Sequence, residues 1–293
     1  MFTNRNFLVQ LLHKCVKTLF SHTRLILRFR NVKGTYCTVD QEQKITIANQ
    51  AINYLKVGSG EKTLLCFPGA LGTIWSDFKP QIDQLNKDLF TVVAFDPPGY
   101  GFSRPPNREF TLDFYEKDAA IAYKLMKELN ISKFSLLGWS DGGISSLILA
   151  AQYPEAVEKL VVWGANSYIL PEDIEAFEQI RDTSRWSDKA RAPLVALYGA
   201  DGLQDMWSGW CNAMQAMHRR NGGNICMECV TRITCPTLVL HGAKDPVVQP
   251  EHPNYLSSNI RHARMHIFPH GKHNIHLRYA HEFNTIVTDF ILE

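Results

Sequence analysis

The chain has 293 residues, 45% of them hydrophobic and 20% charged, with 31 Lys and Arg against 29 Asp and Glu. The hydrophobic share is too high for a disordered chain, and a net charge of +2 offers no basic field for nucleic acid. Seven cysteines are an odd number in a chain long enough to bury its own core, so no disulfide framework is expected.

The charge is unevenly placed. Residues 1–39 hold seven basic residues (Arg5, Lys14, Lys17, Arg24, Arg28, Arg30, Lys33) and no acid, leaving 24 basic against 29 acidic groups on residues 40–293. A cationic, acid-free head with apolar clusters such as Phe7-Leu8-Val9 and Leu25-Ile26-Leu27 has the composition of a mitochondrial presequence. The expected location is therefore the mitochondrial matrix after its removal, with a cytoplasmic protein as the alternative. A retained surface helix or membrane-lying anchor is the rival reading of the same residues. A secretory signal is disfavoured because Lys14, Lys17 and Arg24 interrupt any apolar core. No other apolar run approaches bilayer-spanning length, so no stable membrane insertion is expected.

From residue 40 to 293, apolar runs of strand length alternate with helical periodicities. Ile45 to Val57 reads as a strand or hairpin, and Thr63–Phe67, Phe90–Phe95, Phe134–Leu137, Leu160–Trp163 and Thr237–Leu240 read as strands buried on both faces. Between them, Ile82 with Leu85 and Leu89, Phe114 with Ala122, Leu125, Met126 and Leu129, and Ile144 to Gln152 repeat at helical spacing. The pattern predicts an α/β chain with a mostly parallel central sheet and helices on both faces. From about 166 to 232 the rhythm breaks. That stretch holds helical pieces and Trp186, Trp207 and Trp210 but no strong strand, and is too long for an ordinary connection, so a helical cap is expected there.

Gly138-Trp139-Ser140-Asp141-Gly142 has the form G-x-S-x-G, with a buried strand before it and a helix after it. So sharp a strand-to-helix turn needs glycines at both flanks and lifts the Ser140 hydroxyl above the sheet edge. A serine hydroxyl needs a base to accept its proton and an acid to orient that base. Asp245 follows the strand Thr237–Leu240, and His273 lies in the loop after a last strand, Met265–Phe268. Their order, Ser, Asp, His, is that of α/β-hydrolases. His241, His270 and His276 are rival bases, and Asp201 and Asp205 rival acids. Amide donors for the oxyanion are expected from Asp141 and from the turn Pro68–Gly72, with Leu71 favoured and Ala70 next. No metal is expected: neither Cys226-x-x-Cys229 with Cys235 nor the spacing of His270, His273 and His276 completes a ligand set. No phosphate-binding or dinucleotide-binding loop is present either.

These segments, together with Asp96-Pro97-Pro98-Gly99-Tyr100-Gly101-Phe102-Ser103-Arg104, Val162-Trp163-Gly164-Ala165-Asn166 and Gly271-Lys272-His273-Asn274, resemble the biphenyl hydrolase-like family of serine hydrolases in the α/β-hydrolase superfamily. The resemblance runs from about residue 40 onward. It implies a Ser140, Asp245 and His273 triad, oxyanion amides from Leu71 and Asp141, no cofactor, and α-amino acid esters as substrates. Ala70 and Trp139 are the further candidates for substrate contact. The partners expected are a small-molecule ester and water, acting on a monomer. Pro98 stands where the family often has Arg, and 199–205 diverges, which bears on the alcohol side of the ester.

Asp141 is unusual on chemical grounds alone. A carboxylate near a developing oxyanion repels it by about 4 kcal/mol at 4 Å and an effective dielectric of 20. A substrate ammonium between them would reverse the sign. The plainer alternative is a helix N-terminal acid bonded to nearby backbone. Carbon–carbon, thioester or thiolactone hydrolysis with the same triad, and a non-catalytic scaffold of the same fold, are the competing functions. Epoxide hydrolase and dehalogenase chemistry would need an Asp at position 140.

Overall fold

The computed structural model describes residues 29–30, 36–37 and 42–293. Contacts group the chain into two units, Met1–Val39 and Asp40–Glu293. In the first, β1 (Phe29–Arg30) pairs antiparallel with β2 (Tyr36–Cys37). The presequence expected over 1–39 otherwise lies outside the described residues.

The second unit is built on one eight-stranded sheet. Its strands are β3 (Gln43–Ile47), β4 (Gln50–Val57), β5 (Lys62–Phe67), β6 (Phe90–Phe95), β7 (Phe134–Trp139), β8 (Val157–Trp163), β9 (Thr237–Gly242) and β10 (Ala263–Phe268). Their order is β10-β9-β8-β7-β5-β6-β4-β3. Every pairing from β10 to β6 is parallel, and β4 and β3 close the sheet antiparallel. The stretch read as a strand or hairpin is the β3–β4 hairpin. Its two-residue turn, Ala48 and Asn49, has φ of 49° and 65°, the left-handed pair that a type I′ turn needs to match strand twist.

The central runs are continuous in apolar residues because both faces are covered. β6 and β9 are buried at every position. Alternate residues feed two separate cores: Leu65, Phe67, Val93, Phe95 and Leu136 face one, and Leu64, Cys66, Val92, Ala94 and Leu137 the other. The first is closed by α2 (Phe114–Glu128), α3 (Asp141–Gln152) and α8 (Glu251–Asn259). The second is closed by α1 (Ile74–Gln84), α9 (Ile275–Arg278) and α10 (Ala280–Leu292). Leu85 and Leu89, read as part of the helix around Ile82, lie beyond its end. The Leu85 amide still reaches the Gln81 carbonyl, but the backbone has turned extended there, and Leu89 is exposed.

Between β8 and β9 the chain forms α4 (Pro171–Gln179), a 3₁₀ turn (Thr183–Arg185), α5 (Asp188–Tyr198), α6 (Ala200–Asn221) and α7 (Met227–Val230). Gly199, at φ 76°, makes the corner between α5 and α6. Trp207, Trp210, Met214 and Met217 of α6 pack into the first core. Cys226, Cys229 and Cys235 are buried free thiols. Among the described residues no helix is long and apolar enough to cross a membrane, and no His, Cys, Asp and Glu cluster is arranged for a metal.

Candidate active site

The elbow at Ser140 follows from steric necessity. Ser140 sits at φ 54°, ψ −122°, a conformation that L-residues rarely adopt, and its amide donates to the Trp163 carbonyl at 3.0 Å. Its own carbonyl accepts from Gly143 and Ile144, which starts α3. A Cβ at Gly142 would lie 2.1 Å from the Phe67 carbonyl oxygen, and one at Gly138 2.4 Å from Ser146 Oγ, so a side chain at either flank would force the turn open.

Asp245 and His273 come together from the ends of β9 and β10. His273 Nδ1 lies 2.8 Å from Asp245 Oδ2. The other carboxylate oxygen accepts the amides of Val247 (2.8 Å) and Val248 (3.1 Å). Burial alone would raise the Asp245 carboxyl, but His273 and these two amides outweigh it and hold it below the usual range. The imidazole is placed beside the elbow by two contacts. Trp139 Nε1 donates to the His273 carbonyl at 3.1 Å, and a Cβ at Gly164 would lie 2.8 Å from His273 Cε1. Among the described residues a direct Ser140–His273 hydrogen bond is not formed; in free enzymes such bonds are often long and tighten when substrate seats.

The rival residues sort by burial. His270, Asp201 and Asp205 are exposed. His241 is buried, and desolvation lowers its pKa. His276 is fully buried under Trp139, with ring centroids 4.6 Å apart, and its Nδ1 accepts the Trp163 indole N–H at 2.9 Å. Burial pushes its pKa down to about 3, so it is a neutral packing residue.

On the other side of Ser140 runs the turn Pro68–Gly72, where a Cβ at Gly69 would be 3.2 Å from Ser140 Cβ. Leu71 stands at φ 61°, and Gly72 N donates back to the Gly69 carbonyl at 3.0 Å. Gly69 N is held by Asp77 Oδ2 at 2.9 Å, a carboxyl that burial pushes up to about 7. The buried Tyr100 hydroxyl has no hydrogen-bond partner among the described residues. The Leu71 carbonyl accepts from Tyr198. Ala70 is half-buried. Trp139 spends its indole N–H on the His273 loop.

Asp141 does not cap its own helix. Its Oδ1 accepts from the Tyr115 hydroxyl at 2.9 Å and its Oδ2 from Trp210 Nε1 at 2.8 Å, residues of α2 and α6. It is 6% exposed, and burial pushes its carboxyl up to about 6 against the lowering effect of Tyr115, Arg108 and Trp210. Arg108 is itself forked onto Asp118, with Nη1 3.0 Å from Oδ1, inside a buried pair. Counting charges, one guanidinium faces two carboxylates, and ionised Asp141 is the surplus. Of the expected cap aromatics, only Trp210 bonds a candidate site residue. Trp207 stacks on it at 4.7 Å, and Trp186 and Trp207 both donate to the Ile180 carbonyl. Tyr168 packs on His252 and Tyr255. Sequence reasoning did not single out Tyr115 or Tyr198, because nothing in local spacing marks a hydroxyl that bonds a residue 26 or 127 positions away.

Comparison with known proteins agrees with this architecture. The family model for the alpha/beta hydrolase fold matches residues 62–181. Among solved structures, the meta-cleavage product hydrolase of Pseudomonas fluorescens superimposes with a TM-score of 0.70 at 23% identity, covering 85% of this chain and 96% of that one, which shows the shared fold. Serine hydrolase BPHL of Mus musculus is 47% identical over 258 residues, 88% of this chain and 89% of the relative. The Homo sapiens protein of the same name is also 47% identical, over 85% of each chain. Identity of that extent, on a sheet with a serine elbow, means that the chain belongs to the biphenyl hydrolase-like serine hydrolases of the α/β hydrolase fold.

Proposed function

We propose that this serine hydrolase cleaves carboxylic esters bearing a free α-amino group. Ser140 attacks the ester carbonyl, His273 takes its proton and passes it to the departing alcohol, and Asp245 holds the imidazole in the required tautomer. The amides of Asp141 and of the Ala70–Leu71 turn stabilise the oxyanion. Water, activated by His273, then releases the amino acid from the acyl-enzyme.

The observation that carries the substrate class is the surplus buried carboxylate of Asp141, one residue after the nucleophile. Leaving an ionised carboxylate unpaired in a desolvated site is costly, and a substrate ammonium at that point supplies the missing charge. Tyr115 and Trp210 each occupy one oxygen, and each oxygen keeps a further acceptor direction for the ammonium. Carbon–carbon hydrolysis, suggested by the name of the solved neighbour, is the rival. Asp141 disfavours an anionic substrate for the same electrostatic reason.

The test is a panel of matched esters with and without the α-amino group, run on the parent chain and on Asp141→Asn. The parent is expected to prefer the amino esters, and the variant to lose at least about tenfold in kcat/KM on those alone. Equal losses on both classes would sink the ammonium reading. Import is proposed from the cationic head: residues 1–39 fused to a fluorescent reporter should direct it to mitochondria, and a diffuse reporter would remove that proposal.

A further inference from the structure

The strongest relationship outside the triad is a hydroxyl that ties the inserted helices to the oxyanion turn. Tyr198, the last residue of α5 and 8% exposed, donates to the Leu71 carbonyl at 2.9 Å and accepts the Gly101 amide at 2.9 Å. One hydroxyl has a single proton, so this donor–acceptor pair uses it fully. Arg104 braces the arrangement: its guanidinium lies 4.5 Å over the Tyr198 ring, Nη2 donates to the Leu197 carbonyl at 2.8 Å, and Nε donates to the Gly101 carbonyl at 3.0 Å.

The turn needs such a brace. Leu71 is a non-glycine residue held at φ 61°, a conformation that persists only when its surroundings over-determine it. Asp77 fixes the start of the turn through Gly69 N, and Gly72 N closes it onto the Gly69 carbonyl. The Gly72 N–H shares a peptide plane with the Leu71 carbonyl, so its bond to Gly69 holds that plane from one edge. The Tyr198 hydroxyl holds the same plane from its carbonyl edge, and with Leu71 at φ 61° this constrains the adjoining plane, which carries the Leu71 N–H.

We infer that Tyr198 is a positioning residue for the oxyanion hole, through which seating of the α5–α6 insertion organises the amides that stabilise the transition state. Its effect belongs to the chemical step and not to ammonium recognition, which lies with Asp141. This inference rests on the reading of Ser140 as nucleophile and of the Ala70–Leu71 turn as oxyanion donor.

The experiment compares Tyr198→Phe with the parent, using amino and non-amino esters, an alkyl boronic acid as a tetrahedral probe, and a non-reacting amino amide as a ground-state ligand. Removing an oxyanion donor outright costs roughly a hundredfold to a thousandfold in kcat, so mispositioning one is expected to cost about tenfold or more. KM should stay within about twofold, both ester classes should lose equally, and boronate affinity should fall in step with kcat while amino amide affinity holds. Unchanged kcat, or a loss confined to KM and to the amino amide, would overturn the inference. Arg104→Gln, which leaves the hydroxyl but removes its brace, should show a smaller loss of the same kind, and serves if Tyr198→Phe does not fold. Ser140→Ala separates the two levels: residual activity there would refute the nucleophile reading itself, whereas an inactive Ser140→Ala beside an unimpaired Tyr198→Phe would refute only the role of Tyr198.

Discussion

Trp210, on the inserted helix α6, donates its indole N–H to the carboxylate of Asp141 at 2.8 Å, so the residue beside the nucleophile is held by an element 69 positions away. The acid expected to serve substrate is thereby coupled to the packing of the insertion. A hydrogen bond to the charged form of a buried acid lowers its pKa, and here it partly offsets desolvation.

Trp210→Phe keeps the aromatic packing on Phe177 and Trp207 and deletes that donor. A charge-assisted bond of about 1.5–3 kcal/mol corresponds to roughly one to two pKa units. The acid limb of kcat/KM for amino esters, expected near pH 6 in the parent on the proposed role of ionised Asp141, should move upward accordingly. Activity should be depressed at neutral pH and recover only in part as pH rises, because the substrate ammonium is itself lost above about pH 8. A pH–rate profile checks this, and an unmoved limb would contradict it.

Asp141→Asn makes a separate prediction for stability. The folded-state carboxyl is raised from 3.8 to about 6, so the group costs nothing below pH 3.8, where it is protonated folded and unfolded alike. The cost grows as pH rises through that window and is complete above about 6, where it reaches roughly 3 kcal/mol. Asn can accept from Trp210 and donate to the Tyr115 oxygen. The variant should therefore melt higher than the parent at pH 7, with the difference vanishing toward pH 4. Denaturant titrations at the two pH values measure it.

His273 and His276 should fail in opposite ways. His273→Ala removes a mostly buried ring that packs on Trp139 and pairs with Asp245, and should lower kcat by at least about a thousandfold in protein that still folds. His276→Ala opens a cavity under Trp139 and Trp163 and strands the Trp163 indole N–H, at a cost of about 2–4 kcal/mol. At low temperature its folded fraction should still hydrolyse esters. Calorimetry together with fluorophosphonate labelling of Ser140 separates the two outcomes.

The readability of the chain followed the range of each interaction. Phe90–Phe95 was legible as a strand because burial on both faces demands an unbroken apolar run. The elbow was legible because its trace in the chain is local, a glycine two residues either side of Ser140, although the clash that Gly142 avoids is with Phe67 of β5. Leu85 and Leu89 misled for the complementary reason, since apolar spacing alone does not mark where the backbone leaves the helix.

The sequence by itself therefore determined the alternation of strand and helix, and offered a serine, an acid and a base each placed just beyond a strand end. It picked His273 over His241, His270 and His276 only by its place in a loop, and could not say what Asp141 touches. Only the tertiary structure set one imidazole against Asp245, buried another as a neutral packing ring, and brought Tyr115, Tyr198 and Trp210 onto the elbow and its neighbouring turn. The physical reason is that backbone sterics and hydrophobic periodicity act over a few residues and leave a regular trace. Side-chain hydrogen bonds and desolvation depend on which distant segments meet, and leave none.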